Sequence, residues 1–152
     1  DDGKIMSHAR TQIRRAVVTL LKGNTAAGDN VYEARVYPIN EPKLPALLVY
    51  TKQEVVGEQS MSRPRTQQRE VMLTVEAYVK ARGNVDEATD DLALEIEQLI
   101  AADPSLSGLV KDIALETTET QFSDDGEKPV AVATLTFSTL YAVKENAPQS
   151  LV

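Results

Sequence analysis

Four carboxylates crowd six consecutive positions: Asp86, Glu87, Asp90 and Asp91. On a helix Asp86 and Asp90 share one face, and Glu87 and Asp91 share another. Two such groups could hold a hard divalent cation with waters, and a small metal-dependent hydrolase using Asp86, Asp90 and Asp91 is the distant catalytic alternative. A simpler use comes first: acids stabilise the positive end of a helix dipole and solvate its outer face. Asp124 and Asp125, just before Gly126, fit turn chemistry. The single histidine, His8, opens a helix, where an imidazole is more often a surface group than a general base. No serine stands in a Gly-x-Ser-x-Gly setting, and no glycine pattern cradles a phosphate or a dinucleotide. The absence of cysteine removes disulfides, thiolate metal sites and thiol catalysis together. The expectation is a protein with no catalytic set, no metal ligands and no cofactor.

The charges suggest association instead. The net charge is −7, unevenly spread: residues 1–83 carry +4, residues 84–127 carry −12 and residues 128–152 carry +1. A solvated acidic face accounts for this most simply. The sharper reading is complementarity, in which unlike patches on one subunit bring neighbours together front to back. Candidate surfaces for such a contact are Arg10, Arg14 and Arg15 on one side and Asp86, Glu87, Asp90 and Asp91 on the other. Arg63, Arg65 and Arg69 cluster at the far end of a long polar segment and are further candidates for the basic surface; Arg63 and Arg65 could also touch phosphates or an acidic partner. A nucleic-acid reader would show a basic footprint and more aromatic platforms than the 5% here, with no Trp.

The elements that must position these groups follow from periodicity. Residues 7–22 predict an amphipathic helix, Ser7 capping it and Ile13, Ala16, Val17, Leu20 and Leu21 on one face. Residues 31–37 and 46–51 read as strands, joined by a proline-rich connection. Residues 52–67 lack a clean period and read as a long loop, residues 69–80 as an alternating strand. Residues 84–102 form a second helix capped by Asn84, its buried stripe Val85, Ala88, Leu92, Ile96, Leu99 and Ile100. A helical turn over 105–110 and strands over 113–122 and 129–143 complete the order, the last two joined by an Asp-Gly hairpin. This predicts a single α+β domain, with two main helices packed on one face of a mixed or antiparallel sheet. Residues 1–5 read as a vector remnant, 6–143 as the domain and 144–152 as a loose tail. Nothing spans a membrane, no signal peptide is recognisable, and a cytosolic folding compartment fits.

An ordered succession of segments carries a resemblance. Met6-Ser7-His8 leads into Arg14-Arg15-Ala16-Val17. Then follow Val36-Tyr37-Pro38, Leu44 to Tyr50, Val75 to Val79, an acidic helix, Asp103 to Leu109, an acidic Asp-Asp-Gly turn, and Ala133 to Phe137 running to Tyr141. Over nearly all of 6–143 the chain resembles the tail terminator family (minor tail protein U-like) of phages with long non-contractile tails. The resemblance implies a structural virion protein, not an enzyme, forming a homo-oligomer expected to be a hexameric ring. Such a ring caps the tail tube at its head-proximal end, stops its polymerisation and offers a head-joining surface. The implied partners are the tail tube protein and a head-completion or connector protein, with DNA passing through without sequence recognition, and Arg63, Arg65 and Arg69 are the candidates for a loop facing the tube or the lumen. Assembly in the host cytoplasm is implied too. A head-closure or connector ring subunit is the nearest alternative. Two expectations follow: reversing Arg14 and Arg15 weakens assembly, and the 52–67 loop orders only on the tube.

Overall fold

The computed structural model describes residues 6–36, 43–123 and 130–152. The expected vector remnant, the connection around Pro38 and Pro42 and the Asp-Gly turn lie outside the described residues. The elements run α1 (Ala9–Leu21), β1 (Val31–Glu33), β2 (Ala46–Gln59), β3 (Thr66–Lys80), α2 (Val85–Ala102), β4 (Asp112–Ser123), β5 (Val130–Lys144) and β6 (Ala147–Leu151). The sheet order is β1-β2-β3-β5-β4, with β6 also on β5. Only β1 and β2 are parallel; the other pairs are antiparallel. The fold is thus α+β with a mixed sheet, as the sequence predicts.

The core forms where helical and strand periods meet. Ala9, Ile13, Val17 and Leu21 recur every fourth residue of α1 and are fully buried. Alternate residues of β3 (Val71, Leu73, Val75, Ala77, Val79) and of β5 (Ala131, Ala133, Leu135, Phe137, Tyr141, Val143) meet them. Each large side chain so buried stabilises the fold by about 1.5–3 kcal/mol relative to leaving it in water. In α2 the buried residues are Thr89, Leu92, Ala93, Ile96 and Ile100. Ala88, expected in that stripe, is exposed; Thr89 replaces it, its hydroxyl donating back to the Val85 and Asp86 carbonyls at 3.1 and 2.9 Å.

Five local expectations need correction. Ser7 does not cap α1: His8 does, its Nδ1 accepting from the Arg10 amide at 3.1 Å. β1 ends at Glu33 rather than running to residue 37, and beyond it the Arg35 guanidinium donates to the Thr51 carbonyl and stacks on Tyr50. Residues 52–67 are no loop: β2 continues to Gln59 and β3 begins at Thr66, so a long hairpin turns over 60–65. A β-bulge between Thr51 and Glu54 breaks the alternation, hiding the strand from a period-2 reading. Residues 105–110 are turns, not a helical turn; Leu106, Ser107 and Gly108 all have positive φ, and Asp103 Oδ1 accepts from the Ser107 amide at 2.9 Å. The supposed loose tail contains β6, which pairs with the end of β5. There Gln12 donates to the Gln149 carbonyl at 2.7 Å, fastening the segment to α1. No helix among the described residues is long and apolar enough to cross a membrane.

Candidate subunit interface

The arginines are distributed unevenly between inner and outer work. Glu54 follows the bulge, pairs with Val71 and therefore points to the helix-covered face of the sheet. It lies 2.6 Å from Arg10 Nη1 and 3.3 Å from Arg69 Nη1, and accepts a short hydrogen bond from the Tyr141 hydroxyl. Gln67 Oε1 holds the other side of the Arg69 guanidinium at 2.7 Å. Arg69 is therefore a residue of β3 engaged within the subunit, not part of a loop. Burial and the bond to Glu54 push the Tyr141 phenol up to about 12. Burial first, then Arg10, holds His8 below its ordinary 6.5.

Arg14 is also engaged at home. Its Nε meets Glu33 at 2.9 Å and its Nη1 donates to the Thr51 hydroxyl at 2.9 Å. Arg15 approaches the same Glu33 only to 3.6 Å, and its side chain is 65% exposed. Arg65 lies 3.9 Å from Glu145, while Arg63 is exposed on the hairpin turn with no ion pair among the described residues. Of the six arginines singled out from the sequence, Arg15 and Arg63 therefore present the freest charge.

The acidic side is built differently. Asn84 Oδ1 accepts from the Glu87 amide at 3.2 Å, and Asn84 Nδ2 donates to the Glu87 carboxylate at 3.0 Å, a reciprocal cap that starts α2. Asp86, Glu87, Asp90 and Asp91 are all exposed, and none forms an ion pair among the described residues. Nor do three carboxylate or imidazole groups converge there as metal ligands, among the described residues. The carboxylates sit at the helix N-terminus, where their charge suits the dipole, and leave an acidic surface.

Beside α2 runs a groove of about 340 Å³, whose lining includes apolar Leu44, Pro45, Val79 and Leu92 and charged Lys80, Asp91 and Glu95. Apolar side chains also stand free elsewhere. Val55, Val56 and Met61 are exposed on the β2–β3 hairpin, and Leu94, Leu115 and Phe122 on α2 and β4. On the uncovered side of the sheet, Glu76 lies between two phenols. Tyr78 donates to it at 3.1 Å, and both Tyr50 and Tyr78 are pushed up to about 12, by burial first and Glu76 next.

The sequence reading missed Glu54, Glu33 and Glu145, the acids that consume the basic side's charge. A signal was present for part of this. Arg69 has the same parity as Val71 and Leu73, and Tyr141 the same as Phe137, so both belong to the core face of their strands.

Among curated proteins none matches the chain. The family model described as phage minor tail protein U matches residues 8–141. That span runs from the cap of α1 into the far end of β5 and takes in both helices, the Glu54 cluster and the acidic face of α2. With most of its length matched, the chain belongs to the phage minor tail protein U family and is a structural protein of the phage tail.

Proposed function

We propose that this tail protein is the tail terminator: copies close into a ring that caps the tail tube, ends its polymerisation and presents the surface for head joining. Six copies is the stoichiometry that the family resemblance suggests, and the ring stands at the head-proximal end of the virion tail. The tube protein binds one face and a head-completion protein the other, while DNA crosses the hole without being read.

The observation that carries this reading is the unspent acidic face of α2 in a tail-family subunit. A closed ring needs two unlike surfaces on one subunit, so that each copy offers one and receives the other. Asp86, Glu87, Asp90 and Asp91 supply an acidic surface with no ion pair among the described residues, and Arg15 and Arg63 supply cations elsewhere. Engagement of Arg10, Arg14 and Arg69 within the subunit narrows the basic surface from the wider set first considered.

Length control gives the test. Tail tubes assembled without this protein are expected to overrun their proper length, and adding the purified protein restores a single length. Labelled protein should decorate only the head-proximal end. Tubes of normal length in its absence, or label at the other end, overturn the reading.

A further inference from the structure

We propose that the tip of the β2–β3 hairpin of one copy seats in the groove beside α2 of the next copy, Met61 filling the groove and Arg63 facing its carboxylates. The proposal rests on the ring reading above and names the contact that builds the ring.

The hairpin tip has the character of a preformed plug. Met61 is 98% exposed at the turn, and Val55 and Val56 are exposed lower on the same hairpin, on opposite faces of the strand. Met61 stands at the tip itself, where an almost wholly exposed apolar side chain is free to be buried against a partner. The turn is braced: the Ser60 amide donates to the Thr66 carbonyl at 3.1 Å, and the Thr66 amide to the Ser60 hydroxyl at 2.9 Å. Glu145 secures its base by accepting from the Arg65 amide at 2.9 Å and donating its own amide to the Arg65 carbonyl at 2.8 Å. An arm held in this way loses little conformational freedom on docking.

The groove has the matching chemistry. Its largely apolar lining and volume of about 340 Å³ accommodate a methionine, whose unbranched side chain adapts to irregular gaps. Asp91 and Glu95 outnumber Lys80 on its walls, and Asp86, Glu87 and Asp90 add negative charge along α2. Arg63, exposed beside Met61, brings the opposite charge.

Placement makes the occupant a second copy. The tip adjoins Thr66 at the start of β3, and the groove adjoins Val79 and Lys80 at its end. Fifteen strand residues separate the two by roughly 45 Å, so no copy can fill its own groove. Plug and groove at opposite ends of one sheet make the contact front to back, which is the heterologous geometry of a ring.

The chain has no cysteine, so a designed pair can be read cleanly. Met61→Cys with Ala88→Cys, both exposed positions and Ala88 lining the groove, is expected to give under mild oxidation a covalent ladder extending beyond the dimer. Met61→Cys alone should stop at the dimer. Arg63→Glu should weaken association at least tenfold, and Asp91→Arg in the same chain should restore most of it. Rings of wild-type mass that yield no ladder, or a ladder ending at two, overturn the plug while leaving the ring in place. A Met61→Asp variant that forms rings as well as the unmodified protein but no longer binds tubes assigns the tip to the tube and also overturns the plug. Lone particles from the unmodified protein overturn both.

Discussion

Arg69 of β3 and Glu54 of β2 meet on the helix-covered face of the sheet, Nη1 3.3 Å from Oε2, with side chains only 12% and 11% exposed. Arg10 of α1 reaches the same carboxylate, and Tyr141 of β5 donates to it. One carboxylate thus joins four elements, and its charge offsets two guanidinium groups. Glu54→Gln keeps an acceptor but leaves both cations without a counter-charge, and removing one member of a buried charged cluster costs about 3–5 kcal/mol. Urea denaturation should show a loss near the lower end of that range, about 3 kcal/mol, because Arg10 is partly solvated. A loss below about 1 kcal/mol contradicts this role for Glu54.

Arg14 and Arg15, adjacent in sequence, should separate in experiment. Arg14→Glu sets a carboxylate against Glu33 and removes the bond to Thr51, so the free subunit loses about 1–3 kcal/mol. Arg15→Glu changes an exposed side chain, and the free subunit should stay within about 0.5 kcal/mol of the original. Weakened assembly in Arg15→Glu therefore reports on association, whereas in Arg14→Glu it reports on folding. Equal thermal shifts in the two free subunits contradict the assignment.

Two pH limits follow from burial. Because His8 is held below 6.5 in the folded chain, the unfolded chain takes up that proton first as pH falls. The contribution is full above 6.5 and is lost on acidification from there down to the folded value. His8→Asn keeps an oxygen to cap the Arg10 amide without titrating, so its stability should fall less between about pH 7 and pH 5.5. At the alkaline end Tyr141 moves from 10.0 to about 12, so its contribution is full below 10 and is lost as pH rises through 12. Absorbance titration should show a late tyrosinate component shared by Tyr50, Tyr78 and Tyr141, which shrinks by about a third in Tyr141→Phe. Matching acid slopes for His8→Asn and the original, or a Tyr141 component at the ordinary value, sinks these assignments.

The regular stretches were legible because one period governed each. Val71 to Val79 and Ala131 to Phe137 follow period 2, and Ile13, Val17 and Leu21 keep helical spacing, so the helices, the two central strands and the α+β class follow from pattern alone. The second half of β2 was illegible because the bulge after Thr51 slips its register. Gly57, where a side chain would come within 3.3 Å of the Gln68 carbonyl, further masks the strand. β6 carries Pro148 and mixed polar residues, and only its neighbours on β5 and α1 make it a strand. The charge clusters were visible, but their use was not. Glu33, Glu54 and Glu145 meet their arginines across 15 to 80 residues of chain, a proximity that folding creates and composition does not encode.

Self-association is tested most directly by sedimentation velocity combined with native mass measurement of the unmodified protein over a wide concentration range, with and without purified tail tubes. The account predicts one closed species, an integral multiple of the 16.6 kDa chain and expected to be six, formed freely or on the tube end. Particles of 16.6 kDa alone at every concentration, even beside the tubes, contradict it.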